Sequence, residues 1–168
     1  MNGKKTAFLG LMLTLSLILS YVESLIILPA VIPGIRIGLA NLAVVFLIYR
    51  YGAKEGLLVN VLRILLSALL FGNAFGLFYS LAGGLLSFFC MILVKKLPLS
   101  SVPLVSLTGG ITHNWGQLAA AAILFSPETA IYLFPLLTLT GLLCGTLNGF
   151  IAAVLLKYIK KEQLCSDT

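Results

Sequence analysis

Hydrophobic positions are grouped into long stretches along this chain, and polar positions are grouped between them. Extended apolar stretches are separated by short breaks rich in glycine, proline or charge. An α-helix needs about 20 apolar residues to cross the hydrocarbon core of a bilayer. Six stretches approach that length, although the second and third are short, and the pattern therefore predicts six membrane-spanning helices. Their expected bounds are about 6–23, 35–50, 55–71, 75–95, 103–126 and 129–157.

The composition places these stretches in a membrane. Of the 168 residues, 60% are hydrophobic and 10% are charged, and the mean hydropathy is +1.12. A soluble domain has about 25% charged residues, so this chain has too little charge to cover a water-facing surface. We expect one all-α integral membrane domain over residues 1–168, a polytopic six-transmembrane-helix bundle in contact with the lipid bilayer. The basic and apolar N-terminus is interpreted as the first span and not as a removable signal peptide.

The basic residues collect at alternate breaks between the stretches. They lie before the first, between the second and third, between the fourth and fifth, and after the sixth: Lys4, Lys5, Arg50, Lys54, Lys95, Lys96, Lys157, Lys160 and Lys161. Because cytoplasmic loops are enriched in Lys and Arg, this distribution predicts a multi-pass protein of the cell membrane, in bacteria the inner membrane, with both termini cytoplasmic. The net charge of +6 is thereby explained by topology and gives no reason to expect a nucleic-acid partner.

Small residues recur every four positions in the first and last stretches. The sixth contains Gly141, Gly145 and Gly149, and the first contains Thr6, Gly10 and Thr14. Such spacing lets helix backbones approach closely in a bilayer. Two interpretations stay open: packing inside the bundle, or docking of a partner subunit, for which the first stretch is the better candidate.

Polar side chains inside the apolar stretches are the candidate site. An Arg at the centre of a membrane helix costs about 2.5–3.5 kcal/mol on insertion scales, and such residues usually face the protein interior or a wet cavity. We predict a pocket open to the outside, in which Arg63 would grip a carboxylate or phosphate and Trp115 would stack on a flat ring. The predicted substrate-binding residues are Asn41, Arg63, Asn73, His113, Asn114, Trp115 and Gln117.

Structural alternatives remain for several of these residues. Arg63 could belong to an internal ion pair, with Glu23 as a candidate partner, and His113 could be an interhelical hydrogen bonder. For Asn148, within the glycine ladder of the last stretch, a packing hydrogen bond is the favoured interpretation.

The sequence offers little for catalysis. Its five acidic residues form no aspartate clusters of the kind that hold magnesium on a diphosphate, and its only Asp is Asp167. Neither a Cys/His zinc spacing nor a phosphate-binding GxxxxGK[ST] motif occurs. We therefore expect a binding protein or conduit and no enzyme, with no metal site.

Residues 33–89 resemble a known family. The segment beginning "PGIRIGLANLAVVFLIYRYGAKEGLLV" is similar to the Gx transporter family, also labelled heptaprenyl diphosphate synthase component I. It is also similar, more loosely, to the substrate-binding S components of energy-coupling factor transporters. In those proteins, an entry such as Pro33-Gly34 followed by Leu39 and Asn41 precedes a turn such as Tyr51-Gly52 into the third span.

The resemblance implies a six-helix bundle with a substrate pocket near its outer face. It implies gating by the first outer connection, residues 24–34, with Glu23, Pro33, Gly34 and Arg36 as gating-loop candidates. It also implies uptake of a small vitamin-like or anionic organic solute together with a transmembrane coupling protein and ATPase subunits. S components dock to that coupling protein through an Ala-x-x-x-Ala face, where this chain has Thr6, Gly10 and Thr14.

Two other functions follow from the same resemblance. One is a membrane component of flavin-based extracellular electron transfer. The other is a non-catalytic accessory of prenyl diphosphate synthesis. No cofactor is expected, while a bound flavin, prenyl or quinone compound remains open as a ligand.

Overall fold

The computed structural model describes residues 3–25, 38–124 and 126–166, with side chains described as far as residue 159. This part of the chain forms six α-helices and no strand, which confirms the all-α fold expected from the sequence. The helices are α1 Gly3–Leu25, α2 Asn41–Arg50, α3 Ala53–Phe71, α4 Ala74–Lys95, α5 Val102–Leu124 and α6 Pro127–Ser166. Pro33, Gly34 and Arg36, predicted in a gating loop, lie outside the described residues.

Three of the described helices are long and apolar enough to cross a membrane: α1, α4 and the segment Pro127–Ile159 of α6. Helices α3 and α5 have 19 and 23 residues but carry charged or polar side chains along their length. Most of the polar groups near the middle of those two helices are buried between helices. Apolar side chains cover much of the outer surface instead, as expected for a membrane helical bundle.

Helix α2 is the centre of the bundle, although it is the shortest helix. Its 10 residues extend about 15 Å at a rise of 1.5 Å per residue, half of the roughly 30 Å hydrocarbon core. Seven of them are buried, and α2 contacts each of the other five helices. The predicted second span, 35–50, thus corresponds to a described helix that begins only at Asn41, after a turn at Gly38.

Helices α5 and α6 pack along a seam of glycines. A Cβ atom on Gly110 would lie 2.3 Å from the carbonyl oxygen of Gly141, and one on Gly149 would lie 2.6 Å from Cα of Pro103. A Cβ on Gly145 would lie 2.9 Å from the carbonyl oxygen of Ser106. The structure therefore uses Gly141, Gly145 and Gly149 for close contact between two helices of the same chain.

Helix α1 lies at the edge of the bundle. Within the described residues it contacts only α2 and α3. Ser16, Ser20 and Glu23 are on its buried face, whereas Thr6, Gly10 and Thr14 are exposed. A Cβ on Gly10 would have no described atom of another element within 4 Å, so no helix of the described part of the chain packs against Gly10.

Candidate functional site

Arg63 lies in the interior between α1 and α3. Its side chain is only 1% exposed. Nη2 donates a hydrogen bond to Oδ1 of Asn60 at 2.8 Å, and Nη1 donates to Oγ of Ser20 at 3.4 Å. Both of these contacts are to side-chain oxygens, and they orient the guanidinium.

Asn60 is itself held in a single orientation by α4. Its Nδ2 donates to the carbonyl oxygen of Gly84 at 3.0 Å, which leaves Oδ1 to face Arg63. Glycine at position 84 also leaves room for the end of the Ile64 side chain, because a Cβ there would lie 2.6 Å from Cδ1 of Ile64. A chain of hydrogen bonds thus connects the α4 backbone through Asn60 to the arginine.

Two buried polar side chains hold the turn that precedes α2. Nδ2 of Asn148 on α6 donates to the carbonyl oxygen of Gly38 at 3.0 Å. Oε1 of Glu23 on α1 accepts a hydrogen bond from the backbone N–H of Leu39. Gly38 has φ +96°, in the region where glycine is favoured. The beginning of α2 is therefore fixed from two sides, and the Asn148 bond joins α6 to this turn.

Asn41 and His113 both lie beside Gly38. A Cβ on Gly38 would lie 3.5 Å from Nδ2 of Asn41 and 3.5 Å from Cδ2 of His113. Nε2 of Gln117 lies 2.8 Å from Nε2 of His113. This contact links two side chains one helical turn apart on the buried face of α5.

The other predicted site residues point elsewhere. Asn114 faces α6, and its Nδ2 donates to the carbonyl oxygen of Leu137 at 2.6 Å. Trp115 is 43% exposed and stacks on Phe134 with ring centroids 5.9 Å apart. Asn73 is exposed, and its Oδ1 caps α4 by accepting the N–H of Gly76 at 2.7 Å. The structure thus brings Asn41, His113 and Gln117 into a neighbouring set and keeps Trp115 and Asn73 away from it.

Some buried polar atoms in this interior form no hydrogen bond with any described residue: Asn41 Nδ2, Ser80 Oγ and Asn114 Oδ1. A buried donor or acceptor without a partner costs about 1–3 kcal/mol, and native proteins contain few of them. The described residues contain no group of three His, Cys, Asp or Glu side chains able to hold a metal ion.

The sequence prediction omitted residues that the structure places around Arg63. These are Ser20 and Asn60, which accept hydrogen bonds from the guanidinium. For Asn148, which holds the turn before α2, the sequence predicted only a packing hydrogen bond. Spacing could have identified Asn60, because residues three apart share a helix face. Ser20 and Asn148 lie 43 and 85 positions from Arg63, and no local pattern in the sequence connects them.

Comparison with known protein families assigns the chain to a family. The model of the family described as heptaprenyl diphosphate synthase component I matches residues 12–155. The chain belongs to this family. The family is also called Gx transporter. No curated protein and no solved structure gives a significant match.

The part of the chain that matches the heptaprenyl diphosphate synthase component I family includes the whole polar interior. Ser20, Asn41, Arg63, His113 and Asn148 all lie within residues 12–155, while Thr6 and Gly10 of the exposed α1 face precede them. Two shallow apolar grooves of about 400 and 470 Å³ lie on the outer surface of α4, α5 and α6. They are lined by side chains such as Phe78, Ala119 and Phe134 and are separate from the polar interior.

Proposed function

We propose that this member of the family is a membrane-embedded subunit that binds a small anionic organic solute for uptake. The observation that carries the proposal is the buried Arg63, oriented by Asn60 and Ser20 at 2.8 and 3.4 Å. An arginine presents planar donors that match carboxylate and phosphate. Asn41 and His113 form a further polar region in the same interior, toward the turn before α2.

The proposed orientation follows from the basic residues. With both termini cytoplasmic and six crossings, α3 would run outward and place Arg63 near the middle of the membrane. The end of α1 that carries Glu23 and the beginning of α2 would then lie toward the outer side. A solute would enter from that side and reach the guanidinium between α1 and α3.

The binding test uses native mass spectrometry of gently purified protein. We expect the wild type to release a small acidic molecule and the Arg63→Leu variant to retain at least tenfold less of it, because the charge that attracts the anion is gone. The matched control is Arg50→Leu, which removes an arginine charge at the end of α2. There Cζ of Arg50 lies 5.6 Å from the ring centroid of Tyr51. Equal retention by wild type and both folded variants would refute the proposal.

Uptake against a gradient would need a partner, and the exposed α1 face is the proposed docking surface. Thr6, Gly10 and Thr14 are all exposed, and none of the described residues of another helix lies within 4 Å of a Cβ on Gly10. Small faces of this kind let a second membrane helix approach closely. We propose a transmembrane coupling protein with ATPase subunits as the partner.

The Gly10→Leu variant tests this docking surface. Since the space beside Gly10 is open, the variant should fold normally and still bind solute, while capture of a coupling protein from membranes should fall at least fivefold. Ala119→Leu is the control, because it places the same leucine side chain at an exposed position on α5. Unchanged capture with Gly10→Leu would exclude this face as the contact.

A second candidate function rests on the family description, which names a component of heptaprenyl diphosphate synthase. In this account the chain would be a non-catalytic accessory that anchors a soluble prenyltransferase. It predicts co-purification with such an enzyme and a change in product chain length when the two are combined. An unchanged product distribution would remove this candidate.

A further inference from the structure

Asn41 carries a buried donor for which the described structure gives no acceptor. The residue is 3% exposed, and its Nδ2 forms no hydrogen bond within residues 3–25, 38–124 and 126–166. In contrast, the Nδ2 atoms of Asn60, Asn114 and Asn148 each donate to a backbone carbonyl of another helix or turn. Asn41 is therefore the exception among the buried asparagines of this interior.

The position of Asn41 is well determined by its surroundings. Its backbone N–H donates to the carbonyl oxygen of Gly38 at 3.1 Å. Gly38 and Leu39 are in turn bound by Asn148 and Glu23. Since α2 is buried and contacts all five other helices, the amide cannot shift far to find another partner. Such a preorganised donor loses little entropy when a ligand binds.

The neighbours of this donor are Gly38 and His113. A Cβ on Gly38 would stand 3.5 Å from both Nδ2 of Asn41 and Cδ2 of His113. The donor therefore lies beside the imidazole at the turn that precedes α2.

We propose that the solute carries, besides its anionic group, a neutral hydrogen-bond acceptor such as a carbonyl oxygen or ring nitrogen, which binds Nδ2 of Asn41. This inference rests on the proposed function, in which Arg63 takes the anionic group. Because both Arg63 and Asn41 Nδ2 are donors, the site selects acceptor-rich organic anions. It disfavours cations and purely hydrocarbon acids.

The test uses probes that differ by one acceptor. Benzoate and the three pyridinecarboxylates have the same size and charge, but each pyridinecarboxylate replaces one ring C–H with a nitrogen. Affinities for the purified full chain are measured by titration calorimetry in detergent. We expect at least one pyridinecarboxylate to bind about tenfold more tightly than benzoate, the effect of satisfying one buried donor.

The Asn41→Leu variant should lose the preference for the ring nitrogen, so that its affinities for benzoate and the pyridinecarboxylates agree to within twofold. Asn41→Asp is the second variant, because it keeps the shape and Oδ1 but replaces the donor by an acceptor, and it should lose the same preference. Arg63→Leu should lose all four probes. Retention of the preference in either folded Asn41 variant, or no preference in the wild type, overturns the inference alone. Failure of the wild type to bind any of the four anions overturns the proposed function as well.

Discussion

At the scale of single residues, the environment of Arg63 decides what it can do. Its two terminal nitrogens contact an amide and a hydroxyl oxygen at 2.8 and 3.4 Å. These two hydrogen bonds fix the orientation in which the guanidinium presents its donors. The amide of Asn60 is suited to this role because α4 fixes its orientation through the Gly84 carbonyl.

This arrangement predicts the effect of a charge placed beside Arg63. In Asn60→Asp, a carboxylate would replace the neutral amide and compete with the solute for Arg63. It would also repel the anionic group of the solute, because like charges in close proximity cost several kcal/mol. We expect the affinity for benzoate to fall about tenfold or more, measured by titration calorimetry. The control is Asn73→Asp, because Asn73 is an exposed helix cap and aspartate caps helices equally well. Equal benzoate affinities in the two variants would contradict the role assigned to Asn60.

Helical geometry explains why Trp115 lies apart from His113 and Gln117. His113 and Gln117 are four positions apart and share the buried face of α5. Trp115 lies two positions from each, on the opposite side of the helix, where it is 43% exposed. Its Nε1 donates to Oγ1 of Thr138 at 3.1 Å, so its polar atom is satisfied outside the interior. The periodicity alone was sufficient to separate Trp115 from His113.

At the scale of helices, two small-residue ladders with similar sequences have different surroundings. The ladder on α6 packs against α5 so closely that a Cβ on Gly141 would lie 2.6 Å from the carbonyl oxygen of Gly110. The ladder on α1 is exposed, and a Cβ on Gly10 meets no other element within 4 Å. Spacing could predict that both ladders permit close contact, but only the fold determines which one is already occupied.

The contrast predicts opposite effects of the same substitution. Gly141→Ala should destabilise the protein by about 1–3 kcal/mol, because backbone atoms must move to admit the methyl group. Gly10→Ala should be neutral or stabilise by up to about 1 kcal/mol, since alanine is the better helix former. Unfolding free energies from denaturant titration in detergent would compare the two. Equal destabilisation would contradict the packing described for α1 and α6.

At the scale of the whole molecule, the apolar pattern predicted the fold better than the site. Apolar stretches nearly long enough to cross a membrane predicted the first and last residues of four of the six described helices, α1, α3, α4 and α5, to within about three residues. The beginning of α2 was not predicted, because buried apolar residues continue without a break through the turn at Gly38. Ser20, which binds Arg63, comes from α1, and a contact between such distant segments has no local signature.

The topology gives a prediction for the whole chain. If the basic breaks face the cytoplasm, reporter domains fused to residue 1 and to residue 168 should both be active only inside the cell. A reporter that is active outside the cell at either end would contradict the proposed orientation and the outward direction of α3.

The central claim is that Arg63 binds an anionic solute in the interior of the bundle. A structure of the protein with its retained solute bound tests this most directly. The account predicts an oxygen of a carboxylate or phosphate within about 3 Å of a terminal nitrogen of Arg63. A solute bound instead in an apolar groove on α4, α5 and α6, with Arg63 contacting only protein, would contradict it.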